Sequence, residues 1–273
     1  MATILFRAAL FLILLATGGM IVFIIKQQKA VFRWSYRIFL AGFAFHTLFL
    51  VQQYVALGAA PVLSLKSALG FFAWTVSGAY LLFQLRFRLR VLGSFIAPLA
   101  AVLMLASTSL PGTEAAVIHP LLKSVWLPIH VLTVFAGDGM FALAFAASVM
   151  YLLQERQIKR KRFGTLYSRL PSLETLDAIN HRALVWGFPL LTLGMVTGAV
   201  YAQQALGSYW RWDPKEVWSL ITWGLYLVYF HCRKSPWNRW ADLAHLLALI
   251  ALLTTFFLVN LLPKLGSILH SYA

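Results

Sequence analysis

The chain returns again and again to runs of at least about 18 almost wholly apolar residues, the length needed to cross roughly 30 Å of hydrocarbon. In lipid, such a run satisfies its own backbone polar groups by forming a helix. Eight spans follow, at about 2–25, 36–57, 65–85, 91–110, 125–153, 183–204, 217–231 and 241–262. The expected fold is an all-α integral membrane protein, one polytopic domain over residues 1–273. Spans one to four occupy residues 1–124, and spans five to eight occupy 125–273. Composition agrees: 11% of residues are charged and 61% are hydrophobic, where a soluble domain carries about 25% charged residues.

Net charge is +15, which on its own suggests nucleic acid. Its distribution argues against that partner. Lys26, Lys29, Arg33 and Arg37 lie between spans one and two, and Arg86, Arg88 and Arg90 between three and four. Arg156 to Arg162 and Arg169 lie between five and six, and Arg233, Lys234 and Arg239 between seven and eight. Basic residues thus gather in alternate loops, which places those loops in the cytoplasm and both termini outside. The partners of this charge are the anionic headgroups of the lipid bilayer.

Cys232 is the single cysteine. It allows no intramolecular disulfide and no CxxC pair, so any thiol chemistry must use another protein's cysteines. The longest polar segment, about 155–181, reads as a cytoplasmic loop. Within it, Pro171-Ser172-Leu173-Glu174 suggests the start of a short helix on the membrane surface.

Between spans six and seven lies GSYWRWDPKEVWSLITW, residues 207–223, which the topology places outside. Trp210, Trp212, Trp218 and Trp223 crowd around Asp213, Lys215 and Glu216. Two readings hold together. Asp213 as N-cap, Pro214 at the first helical position and Glu216 as the returning partner make a good helix start. The tryptophans form a surface for a flat amphiphilic ligand, although interfacial tryptophans are also common without one.

Seven histidines sort by side. His130, His270 and His119 fall outside; His181, His231 and His245 lie at cytoplasmic span ends; His46 is near the middle of span two. A histidine at a helix end is ordinarily interfacial or hydrogen-bonded. His130 and His270 differ, because both share a side with the tryptophan loop. Two neutral imidazoles across a flat aromatic pocket suit the axial positions of haem iron. Arg211 or Lys215 would meet the propionates, and the tryptophan rings would cover the porphyrin. Zinc is the poorer fit, since no cysteine lies outside and no short ligand spacing is present. Asp138, between three and four turns into span five, is an intramembrane carboxylate; a functional role and a structural hydrogen bond are both open. Gly137 and Gly139 beside it suggest close helix packing.

The second half of the chain, Trp126 to Ala273, resembles the CcsA/ResC family of system II cytochrome c biogenesis, within the haem-handling group named for its WWD loop. Gly187 to Trp223 is similar to that family's signature over its length, and Leu227 to Arg233 (LVYFHCR) looks like its transmembrane histidine site, on His231. Leu269 to Ala273 (LHSYA) and Ile129 to Gly137 (IHVLTVFAG) look like its two external haem histidines, on His270 and His130. The first four spans match in hydropathy and in a GFAFHTL segment around His46. Asp138 departs from the pattern.

The resemblance implies that haem b enters at a membrane site ligated by His231 and moves to an external site. There His130 and His270 are the iron ligands, with Trp210, Trp212, Trp218, Asp213, Arg211 and Lys215 around the haem. It also implies thioether attachment to the CxxCH of an apocytochrome c, by a synthase completed by a CcsB/ResB-type membrane partner and served by a thiol-reducing thioredoxin-like protein. The location it implies is a bacterial inner membrane or a thylakoid-type membrane. A haem chaperone without synthase activity, as in the CcmC-like branch, and a HemX-like regulatory protein are the alternatives.

Overall fold

A computed structural model describes residues 2–62, 64–110, 124–161 and 163–233, together with Ile250. Eight α-helices occur among them: α1 Ala2–Lys26, α2 Lys29–Leu57, α3 Leu65–Phe87, α4 Gly93–Ser109, α5 Trp126–Lys159, α6 Thr165–Arg169, α7 Leu173–Leu206 and α8 Pro214–Arg233. A single 3-10 turn, Arg90–Leu92, leads into α4. No strand is present among the described residues. Six stretches are long and apolar enough to cross a membrane: α1, α2, α3, α5, α7, and α4 taken together with the 3-10 turn before it, Arg90–Ser109. The 20 residues of α8 reach about 30 Å, but its tyrosines and tryptophans dilute its apolar character. The expected eighth span, 241–262, lies outside the described residues, as do His119, His245 and His270.

Helix faces follow from spacing. The buried residues of α1, Ala9, Ile13, Ala16, Met20 and Phe23, recur every three or four positions and make one stripe. The opposite face carries Ile4, Phe11 and Ile25, all exposed. Outward apolar side chains on this scale suit lipid, not water. Local chemistry sets the ends. Ser64 and Ser67 cap the start of α3 reciprocally, and α2 stops at Gly58 in the left-handed region (φ 63°).

The polar segment at 155–181 corrects the expectation of a loop with a short surface helix. Ser172 does cap a helix, accepting from the amide of Thr175 at 3.3 Å. That helix is α7, which runs unbroken for 34 residues into the membrane span. From the other side, α5 continues to Lys159. Both helices therefore project beyond the apolar slab, where their faces become polar without the backbone changing.

In the packing, α1 pairs with α2, α3 with α4 and α5, and α5 with α7 in the most extensive of these interfaces. Gly137 of α5 faces the backbone of α7 at Gly187 and Leu191, and Gly139 faces the carbonyl of Thr75 in α3. Small residues at these points let the backbones approach closely, as their places beside Asp138 suggested. This interface sets the positions of the residues at the Gly207 end of the bundle.

Candidate functional site

The connection between α7 and α8 is built by its acidic residues. Gly207 ends α7 in the left-handed region (φ 73°), its amide donating to Gln203 O. One carboxylate oxygen of Glu216 accepts from the amides of Arg211 (2.9 Å) and Asp213 (3.1 Å). Asp213 Oδ1 accepts from the Lys215 amide at 2.9 Å, and its carbonyl accepts from Val217 at 3.0 Å. Pro214 fills the first helical position, where no N–H is needed. Asp213 and Glu216 thus supply the helix start expected of them, and their oxygens are engaged with the backbone.

The four tryptophans take different tasks. The Trp223 indole donates to Thr192 Oγ1 at 3.0 Å and stacks on Phe188 at 5.7 Å, fastening α8 to α7. Trp210 and Trp212 lie edge to face, 5.9 Å apart with planes at 89°. Trp210 is half-buried, whereas Trp212 is 72% exposed and holds a left-handed backbone (φ 60°). Trp218 is half-buried on the second turn of α8. The rings available to a ligand are therefore Trp210, Trp212 and Trp218, and the first two do not form one flat platform.

His130 lies one turn into α5 and is held against α7. Its Nδ1 is 2.8 Å from the carbonyl oxygen of Gly194. A carbonyl only accepts, so Nδ1 carries the proton and Nε2 the lone pair. Gly198 makes room for the ring: a Cβ there would come within 2.7 Å of His130 Cε1. From Gly198 to the end of α7 is eight residues, about 12 Å. Lys215, in the first turn of α8, is near enough to His130 to act on it electrostatically. Burial pushes the Lys215 ammonium down to about 7, with the Asp213 carboxylate opposing the shift. Arg211 is exposed on the connection itself. The structure thus brings His130, Lys215 and the tryptophan connection to one end of the α5–α7–α8 group. His270, the expected partner of His130, lies outside the described residues.

His231 lies near the other end of α8, 16 residues beyond Lys215, about 24 Å along the helix. The buried face of α8 is Thr222, Tyr226 and Tyr229. His231 is on the opposite face and is exposed. His181 belongs to the inner face, 3.4 Å from the Tyr229 hydroxyl. Arg233 donates to Asp177 at the same level, 2.9 Å from Oδ1, and that carboxylate helps hold the guanidinium charged, raising its pKa further. His181 and His231 therefore address different surroundings. His46 is buried in α2 with its ring edge-on to Phe6 at 5.7 Å, and its Nε2 has no hydrogen-bond partner among the described residues. Asp138 is buried, and its Oδ1 likewise lacks one.

Sequence reasoning passed over Gly194, Gly198 and Thr192. The signal was present: glycines at 187, 194 and 198, seven and four apart, recur on one helix face.

The family model described as cytochrome c assembly protein matches residues 62–266. The cytochrome c biogenesis protein CcsA of Guillardia theta is 31% identical over 269 residues, covering 91% of this chain and 88% of that protein. CcsA of Microcystis aeruginosa is 31% identical over 81% of each chain. CcsA of Chlamydomonas reinhardtii is 34% identical over 82% of this chain, and the match spans 64% of that longer protein. Among solved structures, the cytochrome c haem lyase CcmF shares the fold, with a TM-score of 0.65 at 16% identity, over 94% of this chain and 46% of that one. By the extent of these matches, the chain belongs to the CcsA family of cytochrome c assembly proteins.

Proposed function

We propose that this chain holds haem b at the His130 end of the α5–α7–α8 group and presents it for covalent attachment to an apocytochrome c. A role in cytochrome c maturation follows from family membership. The observation that carries the finer reading is His130, its Nδ1 proton committed to Gly194 and its lone pair on Nε2, beside Lys215 and the tryptophan connection. A neutral imidazole oriented through its second nitrogen is how proteins prepare a histidine for a metal. His270 supplies the other axial position in this reading. Arg211 and Lys215 take the propionates, and Trp210, Trp212 and Trp218 cover the ring with Asp213 shaping the connection.

The bond-forming step belongs to haem and substrate. Each CxxCH thiol adds across one vinyl group, sulfur bonding to one carbon and hydrogen to the other, with no net electron transfer. What the protein contributes is placement of vinyl and thiol in a near-attack arrangement. Haem reaches this end after first binding at His231, with a CcsB-type partner completing the synthase and a thioredoxin-like protein keeping the substrate thiols reduced. The site faces outward from eight spans in a bacterial inner or thylakoid-type membrane. The test is co-expression with a CcsB-type partner and a CxxCH apocytochrome in a host lacking other maturation systems. Covalent haem on the cytochrome supports the synthase reading, whereas haem retained on the chain without transfer assigns a carrier.

A further inference from the structure

At the opposite end of the bundle from the tryptophan connection, α1 hands over to α2 and α3 to α4. A cavity of about 360 Å³ opens between these turns, bounded also by α5 and by the start of α7. Three cations from three elements line it: Lys29 opening α2, Arg88 just after α3, and Arg90 in the 3-10 turn. No carboxylate lines it, and among the described residues none of the three cations has an acidic partner. Its floor is apolar, with Phe23, Leu92 and Met150 all buried.

A second feature converges on the same place. Gln27 (φ 55°) and Arg88 (φ 53°) are two of four non-glycine residues with left-handed backbones among the described residues, and both line this cavity. Both are helix stops, the amide of Gln27 donating to Phe23 O after α1 and that of Arg88 to Gln84 O after α3. Here they turn the chain so that the cationic side chains at 29, 88 and 90 share one cavity. Arg90 is also held along the wall, its guanidinium 5.8 Å from the Phe32 ring centroid. About one turn back along α3 from Arg88, Leu85 is 71% exposed, and Leu82 one turn further is 61% exposed. With these helices read as spans, the cavity lies near the headgroup level, at the end of α3 where Leu82 and Leu85, which do not line it, face outward.

Charge above and apolar surface below match a phosphate diester carrying acyl chains. No histidine lines the cavity, so it offers iron no imidazole ligand. We propose that this cavity binds the headgroup phosphate of one anionic glycerophospholipid, which ties the α1–α4 half of the bundle to α5 and α7. This is a discrete site of unit stoichiometry, beyond the diffuse attraction of basic loops for a charged membrane. It does not depend on the haem reading.

The test uses the full chain in nanodiscs of phosphatidylcholine, with and without phosphatidylglycerol, read by native mass spectrometry and thermal unfolding. Wild type should retain one phosphatidylglycerol and melt higher in its presence. The combined variant Lys29→Gln, Arg88→Asn, Arg90→Gln should lose both responses; asparagine at 88 tolerates the left-handed backbone. If that variant fails to fold, Arg90→Gln alone should weaken retention about fivefold, the value of one cation near an anionic headgroup. A control variant, Arg156→Gln, Lys159→Gln, Arg160→Gln, removes equal charge away from the cavity and should keep both responses. The proposal is overturned if wild type shows no preference, if the control loses as much as the cavity variant, or if inorganic phosphate in phosphatidylcholine gives the same stabilisation. Displacement of the retained lipid by added haem would also overturn it.

Discussion

His130 Nδ1 and the carbonyl oxygen of Gly194 lie 2.8 Å apart, across the interface of α5 and α7. One hydrogen bond therefore fixes both which nitrogen of this histidine holds the proton and where the ring points. The first prediction uses the space that bond requires. Gly198→Ala places a methyl group 2.7 Å from His130 Cε1, so the ring must move. Cytochrome maturation should fall at least about tenfold, the scale of a misplaced reacting group, with the protein still in the membrane. His130→Gly should abolish maturation, and added imidazole should restore part of it. Normal maturation in both variants would remove His130 from the site.

A second prediction separates cap from surface on the tryptophan connection. Glu216→Ala leaves two backbone donors without their partner and should destabilise this region by about 1–2 kcal/mol. Asp213→Asn keeps a capping oxygen and should be nearly neutral in thermal unfolding. Trp210→Ala and Trp212→Ala should instead weaken haem retention, each by about 1–3 kcal/mol for the large aromatic ring removed. Should Asp213→Asn impair maturation more than either tryptophan change, the carboxylate acts on the haem directly.

Lys215 gives a pH signature. Its folded value, about 7, lies below the ordinary 10.5. Between these values the unfolded chain holds a proton that the folded chain lacks, so stability rises with pH across that window and is flat below it. Thermal midpoints at pH 6, 8 and 10, taken as the difference between wild type and Lys215→Met, should show this slope, and a flat difference would refute it. A bound propionate would draw the pKa back up, so haem loading above pH 7 should take up a proton in wild type and not in Lys215→Met.

At the far end of α8, His231 faces outward while His181 is engaged with Tyr229 on the inner face. The isolated chain should therefore hold haem there weakly or not at all. A CcsB-type partner should raise occupancy, and His231→Ala should cancel the gain. Full occupancy in the isolated wild type, lost in His181→Ala or His245→Ala, would show an internal second ligand.

Sidedness is open to direct measurement. Reporter fusions after Arg90, Arg162 and Arg239 should read cytoplasmic, and fusions after Gly112 and Ala273 external. A cytoplasmic C-terminus would put His270 across the membrane from His130.

Much of this was legible in the sequence because hydrocarbon is an unforgiving solvent. Apolar runs mark α1 to α5 and α7, and the Asp213-Pro214-Lys215-Glu216 cap is a local signal that needs no tertiary knowledge. The helix start at Ser172 was legible, but not that this helix is α7 and runs on into the span, nor that α5 extends to Lys159. Outside the hydrocarbon a helix and a polar loop share a composition. Nor does the sequence distinguish four tryptophans within fourteen residues. The hydrogen-bond partner of Trp223 is Thr192, 31 residues away, so its structural task appears only once α7 and α8 lie side by side. The spacing of the glycines behind His130 was visible, but what they accommodate was not, since they act on a side chain of another helix.

Trp212 carries a consequence for how this protein can change. A bulky residue with a left-handed backbone costs about 1–2 kcal/mol relative to one that prefers that conformation. The residue is 72% exposed, so little packing offsets the cost. Glycine or asparagine there would make the connection more stable and leave it without its outermost ring. Any selection for thermal robustness alone pulls this position away from tryptophan, and under the proposed function it is the use of that ring that opposes the drift.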